Sequence, residues 1–327
     1  MRILVTGGAG YIGSHAVRLF LEHGHETWVY DNLSFGHDVA VPAERLIVAD
    51  LAERERLSAV LREKRIEAVV HFAAFAYVGE SVEQPFKYYR NNVANTLILL
   101  EAMQSTGVSK VVFSSSCATY GVPEIIPITE ATPQHPINPY GRTKLIIEWA
   151  LADAARAYGL GYAALRYFNA AGAHPSGEIG EDHTPESHLI PLILQTIMGQ
   201  RDAIHVLGTD YPTPDGTCIR DYIHVDDLAV AHLSALERLQ PGKGLHLNLG
   251  TGRGYSVREV IDVCSEVAGC PVNMIESPRR PGDPPALVAA ATQAHEVLNW
   301  LPKYTDLHDI VETAWRWHRS HPKGYLG

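Results

Sequence analysis

The composition of this chain describes a large, well-packed protein and excludes several classes of function. The chain has 327 residues, 46% of them hydrophobic and 20% charged, which is enough for two domain-sized units and excludes bulk disorder. Its 37 acidic and 27 basic residues give a net charge of −10, so a uniformly basic surface for nucleic acid is excluded.

The sequence carries no pattern for export, membrane insertion or a metal site. Only three apolar residues separate Arg2 from Thr6, too few for a secretion signal, and the apolar stretch 68–79 is shorter than the roughly 20 residues of a membrane span. The four cysteines contain no C-x-x-C pair, and the 17 histidines show no H-E-x-x-H spacing. We therefore expect a cytoplasmic protein with reduced thiols, no membrane partner and no metal.

In chain order, short apolar runs alternate with longer mixed stretches over the first half. The predicted strands are 3–5, 26–30, 46–48, 68–72, 111–113 and 162–165. The predicted helices are 12–22, 53–64, 86–104 and 140–157. Continuous apolar strands alternating with helices predict an α/β fold, a doubly wound (Rossmann) parallel sheet covered on both faces.

Past about residue 169 this alternation breaks down. Glycine and proline become frequent, and the segment 277–285 holds too many prolines for regular structure. The predicted boundaries are 1–170 for the Rossmann domain and 171–327 for a smaller C-terminal α/β domain that covers the substrate. The segment of about 220–250 is a candidate for returning to the first domain.

The first strand runs directly into a glycine-rich turn, GGAGYIG at residues 7–13. In this G-x-x-G-x-x-G pattern Gly7 permits a tight turn, Gly10 lets backbone approach a pyrophosphate, and Gly13 lets the helix pack closely. The pattern predicts a dinucleotide site at the start of the first helix.

Two aspartates end the next two strands. Asp31 would accept hydrogen bonds from the adenosine ribose hydroxyls and repel a 2′-phosphate, which favours NAD over NADP; the alternative is a solvated acid at a strand end. For Asp50, a contact to adenine competes with an N-cap for the helix at 53–64.

A tyrosine and a lysine four residues apart begin the helix at 140–157. Tyr140 and Lys144 share one helical face, and an ammonium nearby favours the phenolate of a tyrosine, whose ordinary pKa near 10 makes it a poor base. Ser114, Ser115 and Ser116 follow a strand at the edge where such sheets bind ligands. Such a pair is often only an amphipathic surface feature, but these neighbours favour a catalytic role.

Taken together, these segments resemble the extended short-chain dehydrogenase/reductases, and within them the UDP-glucose (UDP-galactose) 4-epimerases. The resemblance covers nearly the whole chain, and its most specific segments are in the second half. They are RYFN at 166–169, DYP at 210–212, DGTCIRDYIHV at 215–225 and RRPGD at 279–283.

The resemblance implies a role for each matching residue. The implied catalytic residues are Ser116, Tyr140 and Lys144. The implied NAD-binding residues are Gly7, Gly10, Tyr11, Ile12, Gly13, Asp31, Asn32, Asp50, Leu51, Phe72, Ala73, Ala74, Asn92, Lys144 and Phe168. The implied residues for the UDP-sugar are Ser116, Tyr140, Asn169, Leu189, Arg220, Arg280 and Asp283.

The implied activity interconverts UDP-galactose and UDP-glucose through a transient 4-keto sugar and enzyme-bound NADH, in a homodimer paired through helices 86–104 and 140–157. Two departures from the family pattern leave the sugar open. Ala76 stands where many members have a lysine, which keeps UDP-arabinose and UDP-xylose as alternatives. Leu287 stands where some members have a tyrosine, so a pocket for N-acetylhexosamines is a further alternative.

Two other functions compete on the same fold. A nucleotide-sugar 4,6-dehydratase carries Asp-Glu directly after its catalytic Ser or Thr, and here those positions are Cys117 and Ala118. A non-catalytic NAD-binding protein would be expected to have lost Tyr140, Lys144 or the arginines, and this chain keeps them.

Overall fold

The computed structural model describes residues 1–280 and 283–326, which form two lobes with a cleft between them. Pro281 and Gly282 of the predicted RRPGD segment lie outside the described residues. In the first lobe the elements are β1 (Arg2–Thr6), α1 (Tyr11–Glu22), β2 (Glu26–Asp31), β3 (Leu46–Val48), α2 (Arg54–Glu63), β4 (Ala68–His71), α3 (Val78–Glu83), α4 (Pro85–Tyr88), α5 (Asn95–Thr106), β5 (Lys110–Ser114), α6 (Pro139–Tyr158) and β6 (Gly161–Tyr167).

The remaining elements are divided between the two lobes. They are β7 (Asn169–Ala171), α7 (Leu189–Ile197), β8 (Ile204–Leu207), β9 (Ile219–His224), α8 (Val225–Arg238), β10 (Gly244–Leu249), β11 (Gly254–Ser256), α9 (Val257–Ala268), β12 (Met274–Ser277), β13 (Ala286–Leu287), α10 (Thr292–Leu298) and α11 (Leu307–Ser320). Across the described ranges, no helix has the length and apolar character that spanning a membrane would require.

The first lobe is built on a seven-stranded sheet in the order β10-β6-β5-β4-β1-β2-β3, with every neighbouring pair parallel. Because successive side chains of a strand point to opposite faces, Ile3 and Val5 pack under α1 and α8 while Leu4 packs under α2, α5 and α6. The doubly wound parallel sheet predicted from the sequence is confirmed.

The chain returns to this sheet from the second half. After β9 it forms α8, which packs beside α1, and then β10, which pairs with β6 from Gly244 opposite Tyr162 to Leu249 opposite Tyr167. The division at residue 170 stays a prediction about folding units; in the structure the sheet takes its edge strand from beyond it.

The second lobe surrounds the central strand β9. Strand β11 pairs with β9 antiparallel, β7 and β13 pair with it parallel, and β8 and β12 form a separate parallel pair. Helices α7, α9 and α11 enclose an apolar core that includes Ile193, Val260 and Val311. This lobe faces the carboxyl ends of the large sheet and closes the cleft.

The helix predicted over 86–104 is interrupted. The structure has α4, then a wider π-helical turn over Tyr89–Ala94, and then α5. A wider turn changes which side chains face inward, and such turns often occur at functional sites.

Candidate active site

The cleft contains a cavity of about 940 Å³ at the carboxyl ends of the parallel strands. This is where open α/β sheets bind ligands, beside the strand at which the order reverses. Of the residues predicted for the site, all except Asn92 line this cavity. They are Gly7, Gly10, Tyr11, Ile12, Gly13, Asp31, Asn32, Asp50, Leu51, Phe72, Ala73, Ala74, Ser116, Tyr140, Lys144, Phe168, Asn169, Leu189, Arg220, Arg280 and Asp283.

The three glycines of the turn meet different surroundings. Gly7 has a φ of +71° and a Cβ there would lie 2.5 Å from the backbone nitrogen of Ala73, while a Cβ on Gly13 would lie 2.1 Å from the oxygen of Gly7. A Cβ on Gly10 would meet only that oxygen, at 3.4 Å. The packing of the protein therefore requires two of the glycines, whereas Gly10 leaves space on the cavity side.

The start of α1 offers donors to an anion. Gly10 is the N-cap of α1, and no side chain in the described part of the chain caps this first turn. The N–H groups and the positive end of the helix dipole therefore lie beside the open space at Gly10. Together these features fit the diphosphate of a dinucleotide.

Asp31 is held by the same turn. Its Oδ2 accepts a hydrogen bond from the N–H of Ala9 at 2.9 Å and its Oδ1 one from Leu33 at 2.8 Å, and its side chain is largely buried. Burial raises the pKa of this carboxyl, against the effect of the two backbone N–H donors. A fixed carboxylate that keeps further lone pairs suits a pair of ribose hydroxyls.

Asp50 does not cap a helix. Its carboxylate accepts hydrogen bonds from Asn32 Nδ2 at 2.7 Å and from the N–H of Ala52 at 2.8 Å, and α2 begins only after Glu53. The N-cap alternative is therefore wrong. The contact to adenine stays a prediction.

Tyr140 and Lys144 come from the first two turns of α6. Asn138 caps this helix through a 2.8 Å hydrogen bond accepted from the N–H of Gly141, and Pro139 occupies the first position. Tyr140 is 8% exposed and Lys144 3%. The Lys144 ammonium donates to the carbonyl of Ser114 at 2.7 Å and lies 5.6 Å from the centre of the Tyr140 ring.

Burial shifts both groups towards their neutral forms. Burial lowers the pKa of Lys144 to about 7, and Glu148 partly opposes this shift. Burial raises the pKa of Tyr140 well above its ordinary value; Tyr167 adds to the shift and Ser116 opposes it. Tyr140 can therefore act as a base only when positive charge lies beside it.

Replacing Lys144 by Met should change stability in a pH-dependent way. The unfolded lysine has a pKa of about 10.4, whereas the folded one has a pKa of about 7. Between these pH values the unfolded chain binds a proton that the folded chain does not, so stability rises with pH across that window. The lysine thus costs stability below about pH 7, and this cost disappears above about pH 10.4.

Urea unfolding measures this effect at about pH 6 and about pH 10. We expect Lys144→Met to gain more free energy of unfolding, relative to the original protein, at the lower pH. The loss of the hydrogen bond to Ser114 contributes equally to the free energy of unfolding at the two pH values. A difference that does not depend on pH would contradict the lowered pKa.

A buried ion pair lies near Lys144 and involves Glu148, one turn further along α6. Arg166 donates from Nε to Glu148 Oε1 at 3.0 Å and from Nη2 to Oε2 at 2.6 Å. Ser115 donates to Glu148 at 2.6 Å, and the side chains of the pair are 5% and 2% exposed. This bidentate pair joins β6 to α6 one helical turn beyond Lys144, and the Ser115 hydrogen bond connects the end of β5 to the same glutamate.

Two arginines share a carboxylate at the part of the cavity lined by the second lobe. Arg280 donates to both oxygens of Asp283 at 2.9 and 2.8 Å, and Arg220 Nη2 lies 3.7 Å from Oδ1. Asp283 thus orients both guanidinium groups and leaves the trio with a net positive charge. Planar guanidinium groups suit a diphosphate.

The structure does not bring Asn92 to the cavity. Asn92 is fully buried, and its amide bonds to both backbone groups of Phe75 and to the Thr143 hydroxyl at 2.9–3.1 Å. Its neighbour Asn91 lines the cavity instead, because the wide turn at 89–94 sets which asparagine faces inward. This geometry gives the predicted NAD contact of Asn92 no support, and we propose that Asn91 makes that contact instead.

Two alanine substitutions separate these asparagines. Asn92→Ala should lower the free energy of unfolding by about 1–3 kcal/mol, because it leaves buried partners without hydrogen bonds. Asn91→Ala should instead lower the amount of NAD that stays bound, with a smaller change in stability. Urea unfolding and chromatography of the released nucleotide measure the two effects, and the opposite pattern would restore Asn92.

Several lining residues were missed in the sequence. Tyr167 comes two residues after the predicted strand 162–165, so the strand-end argument used for Ser116 could have found it; its hydroxyl hydrogen-bonds Ser114 at 2.7 Å. Others lie in loops, in the wide turn at 89–94 or in the second lobe, and carry no comparable signal. They include Tyr77, Asn91, His205 and Leu207.

Comparisons with known proteins agree with this geometry. The chain is 52% identical over 326 residues to a UDP-glucose 4-epimerase of Halalkalibacterium halodurans, covering 99% of this chain and 98% of that protein. It is 52% identical, with a TM-score of 0.93, to the UDP-glucose 4-epimerase from Brucella ovis in complex with NAD, covering 96% of this chain and 97% of the other.

A third relative was solved with a nucleotide sugar. It is a UDP-glucose-4-epimerase from Stenotrophomonas maltophila with bound NAD and formylated UDP-arabinopyranose, 42% identical with a TM-score of 0.95 and 99% of each chain covered. The model of the NAD dependent epimerase/dehydratase family matches residues 3–250, which include the glycine turn, Tyr140 and Lys144. The resemblance seen in the sequence is confirmed, and the chain belongs to the NAD-dependent epimerase/dehydratase family.

Proposed function

We propose that this protein is a UDP-glucose 4-epimerase that interconverts UDP-galactose and UDP-glucose with NAD bound. The observation that carries the proposal is a single cavity lined by the glycine turn, by Tyr140 with Lys144, and by the paired arginines. Such a cavity suits a dinucleotide, a sugar and the diphosphate of a UDP group together. The names of the relatives support the same activity.

The proposed mechanism assigns the cofactor to the glycine turn and Asp31. The NAD held there would supply the hydride acceptor and donor that inversion at C4 of the sugar requires. Tyr140, as phenolate, takes the proton of the 4-hydroxyl and later gives it back, and Ser116 shares that proton. Lys144 supplies positive charge to the phenolate.

The two arginines allow the sugar to rotate within the site. Arg220 and Arg280 hold the diphosphate, so the 4-keto sugar can swing about its phosphate linkage without leaving. A dehydratase is disfavoured, because burial raises the pKa of the Cys117 thiol to about 12 and Ala118 cannot transfer a proton. The chain therefore has neither of the carboxylates that dehydration needs at these positions.

The test offers three sugars to the purified protein without added NAD. UDP-galactose, UDP-N-acetylgalactosamine and UDP-arabinopyranose are incubated separately, and the products are resolved by chromatography. Conversion of UDP-galactose at the highest rate supports the proposal. Faster conversion of the pentose or the N-acetylhexosamine would favour those alternatives, and conversion of none would refute an epimerase.

Leu287 provides a test of the size of the sugar pocket. Its side chain lines the cavity, and a tyrosine there would narrow it. Leu287→Tyr should reduce the rate with UDP-N-acetylgalactosamine relative to UDP-galactose by about tenfold or more. The conservative variant Leu287→Met should keep the original ratio, and an unchanged ratio in the tyrosine variant would remove Leu287 as the size determinant.

We also propose a homodimer that pairs through the helices at 86–104 and 140–157. Large apolar side chains remain exposed there, with Phe86 at 73%, Leu97 at 43% and Trp149 at 60%. Light scattering should give the mass of a dimer, and Trp149→Glu should shift it towards the monomer. A monomer at all concentrations would contradict the proposal. The cytoplasmic location stays a prediction from the sequence.

A further inference from the structure

The loop before α7 gathers four side chains that the proposed reaction does not use. Over residues 181–188 it carries two glutamates and two histidines whose donor atoms all lie within 4.8 Å of one another. These residues are Glu181, His183, Glu186 and His188. The glutamate side chains are 4% and 3% exposed, so two carboxylates lie buried in one place.

The spacing of the donor atoms matches a small coordination sphere. A tetrahedral zinc ion with ligands at about 2.0–2.2 Å separates its donors by about 3.3–3.6 Å. His183 Nδ1 lies 3.1 Å from Glu181 Oε1 and 3.8 Å from Glu186 Oε2. His188 Nδ1 lies 3.9 Å from Glu186 Oε1 and contacts Glu181 more closely.

One histidine nitrogen points into the cluster without a hydrogen bond. His183 Nδ1 is buried and has no hydrogen-bond partner among the described residues, although a carboxylate oxygen lies close to it. Glu186 is oriented by its own loop, since its Oε1 accepts hydrogen bonds from the N–H groups of Ser187 and His188. The second oxygen, Oε2, is therefore free to face His183.

We propose that these four side chains bind one divalent transition-metal ion. Two imidazoles and two carboxylates form a donor set that zinc accepts, and the two positive charges of the ion balance the two carboxylates. The half-exposed ring of His188, at 47%, provides the way in from solvent. The sequence predicted no metal, because E-x-H-x-x-E-x-H in a loop matches no familiar ligand spacing.

The ion would stabilise the junction between the two lobes. The His183 ring packs edge-on against Tyr11 of α1 and Tyr77 before α3, with ring centres 6.1 and 6.3 Å apart. Trp317 of α11 donates its indole N–H to the carbonyl of Glu181 at 3.0 Å. Because His188 directly precedes Leu189, the metal would hold the start of α7 against the cofactor lobe.

Zinc binding is measured on tag-free protein that has been treated with a chelator and then supplied with zinc chloride. After gel filtration we expect one zinc per chain and a melting temperature several degrees above that of the chelated protein. Glu181→Gln and His183→Gln should lose both the zinc and the rise in melting temperature. Glu312→Gln is the matched control, because His308, Asp309 and Glu312 form an exposed cluster that should not contribute.

X-ray absorption at the zinc edge identifies the ligands without a mutation. It therefore tests the proposed site even if a variant fails to fold. Scattering from nitrogen and oxygen alone supports the site. Scattering from sulfur would assign the zinc to one of the free cysteines and overturn the proposed site. Protein that retains no zinc, or a Glu181→Gln variant that retains it fully, would also overturn it. Since these measurements need no sugar substrate, they are independent of the proposed epimerase activity.

Discussion

Replacing Tyr140 by Phe should reduce the turnover of UDP-galactose by about 10²–10⁴-fold, the usual contribution of a positioned general base. The phenyl ring fills the same buried space, so the cavity and its other side chains should keep their places. NAD should stay bound, because the proposed cofactor contacts lie on the glycine turn and Asp31. Turnover is followed by chromatography and the bound nucleotide by its release on denaturation.

The control for this substitution is another buried tyrosine. Tyr255 lies outside the cavity, and its hydroxyl accepts a 3.3 Å hydrogen bond from the N–H of Leu307 in the second lobe. Tyr255→Phe removes a hydroxyl of the same kind and should keep most of the turnover. Full activity in Tyr140→Phe would show that another group takes the proton.

Replacing Glu148 by Gln should lower the free energy of unfolding by about 3–5 kcal/mol. The substitution leaves Arg166 charged and buried, with a neutral amide in place of its bidentate partner. The same change removes the negative charge that partly opposes the low pKa of Lys144, so that pKa should fall further. Urea unfolding measures the stability.

An exposed ion pair provides the comparison for Glu148. Glu101 lies 3.1 Å from Arg54, and both side chains are more than half exposed. Glu101→Gln should therefore change stability by less than about 1 kcal/mol. Equal effects of the two substitutions would mean that the buried pair contributes no more than a surface one.

The parts of the site that follow directly from a strand could be predicted from the sequence. The glycine turn, Asp31 and Ser116 each come at the carboxyl end of a strand, and parallel strands bring those ends to one edge. Tyr140 could be predicted because a helix places it and Lys144 on one face. In these cases local geometry determines the position of the side chain.

The rest depends on contacts that local patterns do not encode. The wide turn at 89–94 determines whether Asn91 or Asn92 faces the cavity. A sequence pattern with a regular helical period does not reveal such a turn. The pairing of β10 with β6 joins segments far apart in the chain. The four donors at 181–188 meet only because a loop without regular structure folds back on itself.

The late return of β10 has a consequence for the order in which the protein can be completed on the ribosome. Strand β6 emerges well before β10, so the nascent sheet carries an open edge on which another chain could form hydrogen bonds. Leu247 and Leu249, which complete the apolar layer there, arrive at the same late point. The Rossmann sheet is therefore finished only after β7, α7, β8 and β9 of the second lobe have been translated.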